Sequence, residues 1–373
     1  MITWPRSKHS AVLDQLTAEG VGLWLDDYHR GRLADGSLER LVADGLVGGV
    51  VSRPAAVARA MADTTAYGNQ LNRLSGAATS AEERVYAILA EDARAACTAL
   101  EPVFRATKGM HGWVSVGIAP RPAADAAAMA DHSRLLAEQV DRPNILIRIP
   151  VAGGGLAAAG DVLAHGVGVH LTSVYSVRRY DQAVDTYFRS LEHATSNGHA
   201  ASAVTSLVSL DIGRLDAGVD ALLGGSADPS AAALRGQTAV ATARLVYRRY
   251  EESLGGPHWR SLVADGARPQ RLLWTSENAP ESPRTALDRV ERLIAWMTSH
   301  ALPQTALESL DSREGFHGDT LSGSAEHDAA RRVMEALGRS GVVFDSVTRD
   351  LETAAIERER TAWNELLTAV QAG

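Results

Sequence analysis

Lysine is almost missing from this chain: of 37 basic residues only Lys8 and Lys108 carry an amine. Chemistry that needs a neutral amine therefore has two places to happen. Cysteine is scarcer still, and a lone Cys97 excludes an intramolecular disulfide. No succession of basic, apolar and cleavage-site residues precedes the first charged helix, so a cytoplasmic location is the expectation. Apolar runs never reach the ~18 to 20 residues that span a bilayer, which argues against an integral membrane protein. Positive charge is also short: a net charge of −8 and a pI near 5.9 exclude a general nucleic-acid or anionic-membrane surface. There is no P-loop, no dinucleotide fingerprint and no serine nucleophile elbow. The twelve histidines lack ligand spacing, because His165 and His170 flank a helix-to-strand turn and His193 and His199 straddle a helix end. Neither a metal nor a cofactor is expected.

What the chain does have is alternation. Short β-branched apolar runs take turns with longer amphipathic stretches of 3.6 period, the mark of parallel strands joined by crossover helices. Eight strands are expected: Val21 to Asp27, Leu46 to Arg53, Trp113 to Ala119, Ile145 to Val151, Val167 to Ser173, Ala203 to Asp211, Arg271 to Ser276 and Thr298 to Leu302. Helical patterns lie between them, among them Ala81 to Ala106, Ala123 to Val140, Leu156 to His165, Val177 to Asn197, Ala231 to Leu254 and Thr285 to Trp296. Two more follow in a tail from Ala325, over Ala329 to Arg339 and Asp345 to Gln371, expected to pack around the barrel. No linker is rich enough in Pro, Gly or Ser to divide the chain. The fold class is α/β, a (β/α)8 barrel with additional C-terminal helices, read as one domain over residues 1–373 that includes the tail 325–373.

In such barrels the chemistry sits at the C-terminal strand ends, and the residues there resemble a family. GLWLDDYHRGRL (Gly22 to Leu33), GLVGGVVSRP (Gly45 to Pro54), NILIRIP (Asn144 to Pro150), GVGVHLTSVYSVRRY (Gly166 to Tyr180) and GARPQRLLW (Gly266 to Trp274) resemble the transaldolases in their longer bacterial form, in order and spacing over nearly the whole chain. The resemblance implies a barrel of the transaldolase and class I aldolase type. It also implies a Schiff-base lysine ending strand four, in a motif like LIKIP. Here that position is Arg148, whose guanidinium stays protonated and cannot attack a carbonyl. Four other family positions are exchanged: the strand-three glutamate falls on Gly117, and three asparagines fall on Arg53, His170 and His300. Kept are Asp26, matching the family's general acid/base, Thr172 on strand five, and Ser209 with Arg214, matching the substrate phosphate site. Asp211 stands at a family aromatic position beside that pair.

Arg53, Arg148, His170 and His300 add positive charge to one cleft, so an anionic small molecule bearing phosphate or carboxylate is the expected ligand. Gly153 to Gly155 either cradle an oxyanion with their amides or only make a tight turn. The leading functional expectation is an enzyme recruited to a reaction without a Schiff base, such as enolisation, elimination or condensation of an anionic carbonyl compound in specialised biosynthesis. In it Asp26 and His170 are acid and base, with Arg148 as charge stabiliser. Two alternatives stand beside it: an inactive homologue that binds sugar phosphate or a protein partner, with Arg148 locked against Asp26 and His170 a satisfied interior histidine, and an ordinary transaldolase of the pentose phosphate pathway. Arg248 and Arg249 read as a solvated helix face. Trp4, Trp259 and Trp296 mark a subunit contact or lid, or plain packing, which leaves a homodimer open.

Overall fold

A computed structural model describes residues 10–62, 64–75, 80–120, 125–225, 229–277 and 282–372. Eight parallel strands close into a barrel in sequence order: β1 (Gly22–Asp26), β2 (Gly49–Val51), β3 (Trp113–Gly117), β4 (Ile145–Pro150), β5 (Val169–Val174), β6 (Ser206–Asp211), β7 (Arg271–Thr275) and β8 (Thr298–Leu302). Each strand falls within or across its expected span, trimmed mainly where the end residues leave the ladder. Strand parity decides what the barrel encloses, since alternate side chains point inward. Trp24, Val51, Leu146, Leu207, Leu273 and Ala301 form an interior cluster. The Trp24 indole lies across Gly49, where a Cβ would stand 2.4 Å from the ring, so this glycine lets one bulky side chain cross the barrel.

The surrounding helices start where the sequence supplies caps. Ser80 and Glu83 make a reciprocal capping box at Ala81–Ala106, and the Ser176 hydroxyl accepts from the Arg179 amide to open Val177–Ser196. Two expected helices are shorter than their patterns. The stretch Ala231 to Leu254 divides into Pro229–Ala232 and Thr238–Gly255, because Gly236 takes φ +65. The stretch Thr285 to Trp296 is helical only over Pro283–Glu291 and then turns into β8. The expected start at Ala123 lies outside the described residues.

The tail forms Ser324–Arg339 and Phe344–Ala372. The second of these carries its buried stripe at Thr348, Glu352, Ala355, Trp363, Leu366 and Val370, a helical repeat that lays it over the C-terminal ends of the strands. Arg179 holds it through a two-point contact with Glu352, one arm at 2.9 Å. Trp363 packs on Tyr86 with ring centroids 5.4 Å apart. Among the described residues no helix is long and apolar enough to cross a membrane.

Candidate active site

Over the ends of β4 to β7 lies a cleft of about 220 Å³, walled by Arg53, Arg148, Thr172, Ser209, Asp211, Arg214, Glu277, Arg358 and Glu359 among others. Inward parity puts them there. Arg148 is two residues beyond interior Leu146, Ser209 two beyond Leu207, and Asp26 two beyond Trp24. Arg148 is paired in register with Gly117 on one side and His170 on the other. The missing side chain at Gly117 is what gives the guanidinium room, since a Cβ there would stand 3.4 Å from it. The Arg148 side chain is 8% exposed, makes no hydrogen bond among the described residues, and meets only Glu359 at 3.6 Å.

Asp26 is not Arg148's partner. Both of its carboxylate oxygens accept from Arg53, each at 2.7 Å, a fork-to-fork pair. Arg53 also faces Glu277 at 3.4 Å; burial would lower its pKa, but Asp26 and Glu277 outweigh that and hold the guanidinium charged. The expected Arg148–Asp26 lock is therefore replaced by an Arg53–Asp26 pair. Next to it Asp27 adopts φ 91, and burial together with the Asp26 charge lifts its carboxyl to about 6.

His170 is the register neighbour of Arg148 on β5 and turns toward β3. Its Nδ1 is 2.8 Å from the Ser115 hydroxyl, its Nε2 is buried with no partner among the described residues, and burial with the nearby Arg148 charge pushes its pKa well down. It is uncharged near neutrality, and among the described residues no hydrogen bond joins it to Asp26. His300 is placed elsewhere altogether. Its neighbours in register are Leu23 and Trp274, both outside the interior set, and its Nε2 sits 3.2 Å from the Leu293 carbonyl. Burial first, then Arg289, lowers it to about 3. Parity was the available signal, since Ala301 rather than His300 shares the face of Trp24.

The phosphate-site pair is in the cleft. Arg214 opens the helix Ile212–Leu223, its amide donating to Asp211 Oδ1 at 3.1 Å and its guanidinium to the Glu277 carbonyl at 2.6 Å. Asp211 is buried, and burial with the Glu277 charge raises its carboxyl to about 7. Desolvation would raise Glu277 as well, but Arg53, Arg148 and Arg214 hold it below the ordinary carboxylate value. Thr172 Oγ1 is buried without a partner among the described residues. The triple glycine makes a turn: a Cβ on Gly155 would stand 1.7 Å from the Pro150 carbonyl oxygen, and the Gly155 amide is taken by Ala152. The Gly155 amide is therefore not free to bind an oxyanion.

The ionisable cleft residues that escaped sequence reasoning are Tyr175, Glu277, Arg358 and Glu359. Two signals were present. Glu277 continues the inward alternation of Leu273 and Thr275, and Glu359 lies seven residues after Glu352 on the buried stripe of an otherwise apolar helix face. Among the described residues no group of three His, Cys, Asp or Glu side chains could hold a metal. Elsewhere Arg248 and Arg249 are partly exposed and paired with Glu252 and Asp181, Trp259 is buried against Phe188 and Trp296 is exposed. Trp4 lies outside the described residues.

A closed parallel barrel with its charged side chains gathered over the C-terminal strand ends has the architecture of a (β/α)8 enzyme fold. The chain belongs to the transaldolase/fructose-6-phosphate aldolase family, whose model matches residues 23–370. It is similar to the transaldolase of Frankia alni, 39% identical over 360 residues that cover 96% of each chain. It is also similar to the transaldolases of Thermobifida fusca, at 39% identity over 96% of this chain and 97% of that one, and Acidothermus cellulolyticus, at 38% over 96% and 95%. These relatives overturn the leading expectation. Proteins matched almost from end to end carry the family's own name, which points away from a reaction recruited for specialised biosynthesis and toward ordinary transaldolase.

Proposed function

We propose that the cleft binds a phosphorylated sugar of the kind its family handles. The observation that supports this reading best is the Arg148 guanidinium: 8% exposed, rich in donors, facing the cleft, and without a hydrogen bond among the described residues. Its nitrogens open on the cleft rather than being sealed in the core, and a planar fork of this kind suits phosphate oxygens. Ser209 and Thr172 stand in the same cleft to complete the anion's contacts, and Arg214, held by Glu277 and Asp211, adds its charge from the wall.

Transaldolase activity on that sugar is the reading the relatives' names favour. Through a Schiff base it requires an uncharged amine within reach of the substrate carbonyl. The strand-four position holds Arg148, Lys108 lies in the loop entering β3 at the opposite end of the barrel, and Lys8 lies outside the described residues. The two readings part in one experiment: calorimetric titration with fructose 6-phosphate, followed by borohydride reduction and mass spectrometry of the intact chain. Binding without a covalent adduct supports sugar-phosphate binding alone. An adduct on either lysine establishes the family's chemistry here, and absence of binding removes the phosphate site.

A further inference from the structure

The cleft is more evenly charged than its arginines suggest. Arg53, Arg148, Arg214 and Arg358 line it, but so do Asp211, Glu277 and Glu359, with Asp26 directly behind Arg53. Two of the guanidiniums are engaged. Arg53 is held by both oxygens of Asp26 and faces Glu277, and Arg214 donates to the Glu277 carbonyl with Asp211 at 3.3 Å. Arg148 and Arg358 remain to receive an anion, and Arg358 has neither a hydrogen bond nor an ion pair among the described residues. Arg148 is also the one cation within ion-pair distance of Glu359 among the described residues, at 3.6 Å and without a hydrogen bond. A phosphate that takes Arg148 therefore takes the counter-ion of Glu359.

We infer that the ligand of this cleft is an aminated sugar phosphate, its phosphate on Arg148 and Arg358 and its ammonium on Glu359. This rests on the sugar-phosphate reading and narrows it. Removing one partner of a poorly hydrated ion pair leaves an uncompensated charge, a cost that a ligand hydroxyl reduces only by a hydrogen bond and that an ammonium cancels with both charge and hydrogen bond. Glu359 is well placed for the task because its helix is fixed on both sides. Glu352, seven residues earlier, is bound by Arg179, and Trp363, four residues later, packs on Tyr86. A carboxylate held on a rigid element makes a defined subsite. Burial already raises the Glu359 carboxyl above its ordinary value, in keeping with a group short of charge compensation.

The test compares ligands that differ only in the amine. Glucosamine 6-phosphate and glucose 6-phosphate are titrated into the full chain at pH 6.5, and into Glu359→Gln after its melting temperature has been matched to the parent. The amine should bind about tenfold more tightly to the parent, the equivalent of about 1.4 kcal/mol, and Glu359→Gln should bring the two affinities together. Equal affinities in the parent, or a preference that survives Glu359→Gln, overturn the assignment. So does glucose 6-phosphate binding accompanied by uptake of a whole proton, read from buffers of different ionisation enthalpy, because a proton then does what the ammonium was assigned to do. Silence from both ligands with fructose 6-phosphate bound overturns the aminated class alone. Silence from all three removes the phosphate site and the amine subsite together.

Discussion

Two buried arginines stand at opposite ends of the same barrel interior and are treated in opposite ways. Arg271 begins β7 and donates to the Met110 carbonyl and, at 3.3 Å, to the Ser299 hydroxyl; its pKa is drawn down to about 10 by burial. One position earlier, and so on the other face of the sheet, Gln270 donates to Ser206 at 2.8 Å. Arg148, near the end of β4, is as buried, at 7% against 6% exposed, yet donates to nothing among the described residues. Burial is therefore alike in both places, but the terminal nitrogens of Arg271 find acceptors, with only its Nε left unpaired, whereas those of Arg148 open on the cleft. The lesson is that a site is marked by donors left open on a cleft rather than by buried charge as such.

Crossed substitutions put the largest strain on that comparison. Arg271→Ala removes the donor from the Met110 carbonyl and leaves a cavity in a packed floor, so unfolding by denaturant should show a loss of about 2 to 4 kcal/mol. Sugar-phosphate affinity should be close to unchanged. Arg148→Ala should do the reverse, weakening fructose 6-phosphate or inorganic phosphate by about thirtyfold, the equivalent of about 2 kcal/mol, while the loss of stability, with Glu359 deprived of its nearest cation but open to cleft water, stays at about 1 kcal/mol. Equal destabilisation by the two variants would mean that Arg148 is a structural plug like Arg271.

A smaller effect is expected from the spent arginine. Asp26→Asn breaks the two-point pair with Arg53, whose side chains are 14% and 22% exposed. Partial exposure screens the loss to about 1 kcal/mol, well short of a fully buried pair. The freed Arg53 has the reach to join a bound anion, so phosphate affinity should rise by a fewfold in calorimetry. A fall instead would show that Asp26 itself contacts the ligand.

The eight strands could be read from the sequence because buried parallel strands are continuous apolar runs, and Arg148 could be singled out because LIRIP keeps every neighbour of the family's lysine motif. What could not be read was which charges cancel. Arg53 and Arg148 look alike as strand-end replacements, and both lie within a strand or two of Asp26, but only side-chain geometry shows that Asp26 is taken by Arg53. Glu359 lies more than two hundred residues beyond Arg148, on a helix whose docking depends on Glu352 and Trp363, so its place in the cleft is a long-range consequence of packing. His300 was misplaced for a local reason. A strand residue misjudged by one position changes face, and it is Ala301, not His300, that stands level with inward Trp24.

The smallest effect tests whether the cleft's balance of charge shifts with pH. Asp211 is lifted to about 7 by burial and by Glu277. A carboxyl raised in this way binds more protons folded than unfolded between its ordinary value and 7, so its ionisation costs stability as pH rises through that window. The same ionisation places a negative charge against Arg214, at 3.3 Å, and opposes an incoming anion. Sulfate is the suitable probe because its own charge is constant from pH 6.5 to 8, whereas phosphate titrates there. His170 is uncharged throughout, its pKa pushed well down by burial and Arg148, and Asp27, near 6, has largely finished titrating. Sulfate affinity should therefore fall by about threefold between pH 6.5 and 8 in the parent, within the range expected of one screened charge at a cleft mouth. In Asp211→Asn the profile should be flat and set at the low-pH affinity. A parent profile that rises with pH would place the titrating group on a cation and remove Asp211 from the balance of the cleft.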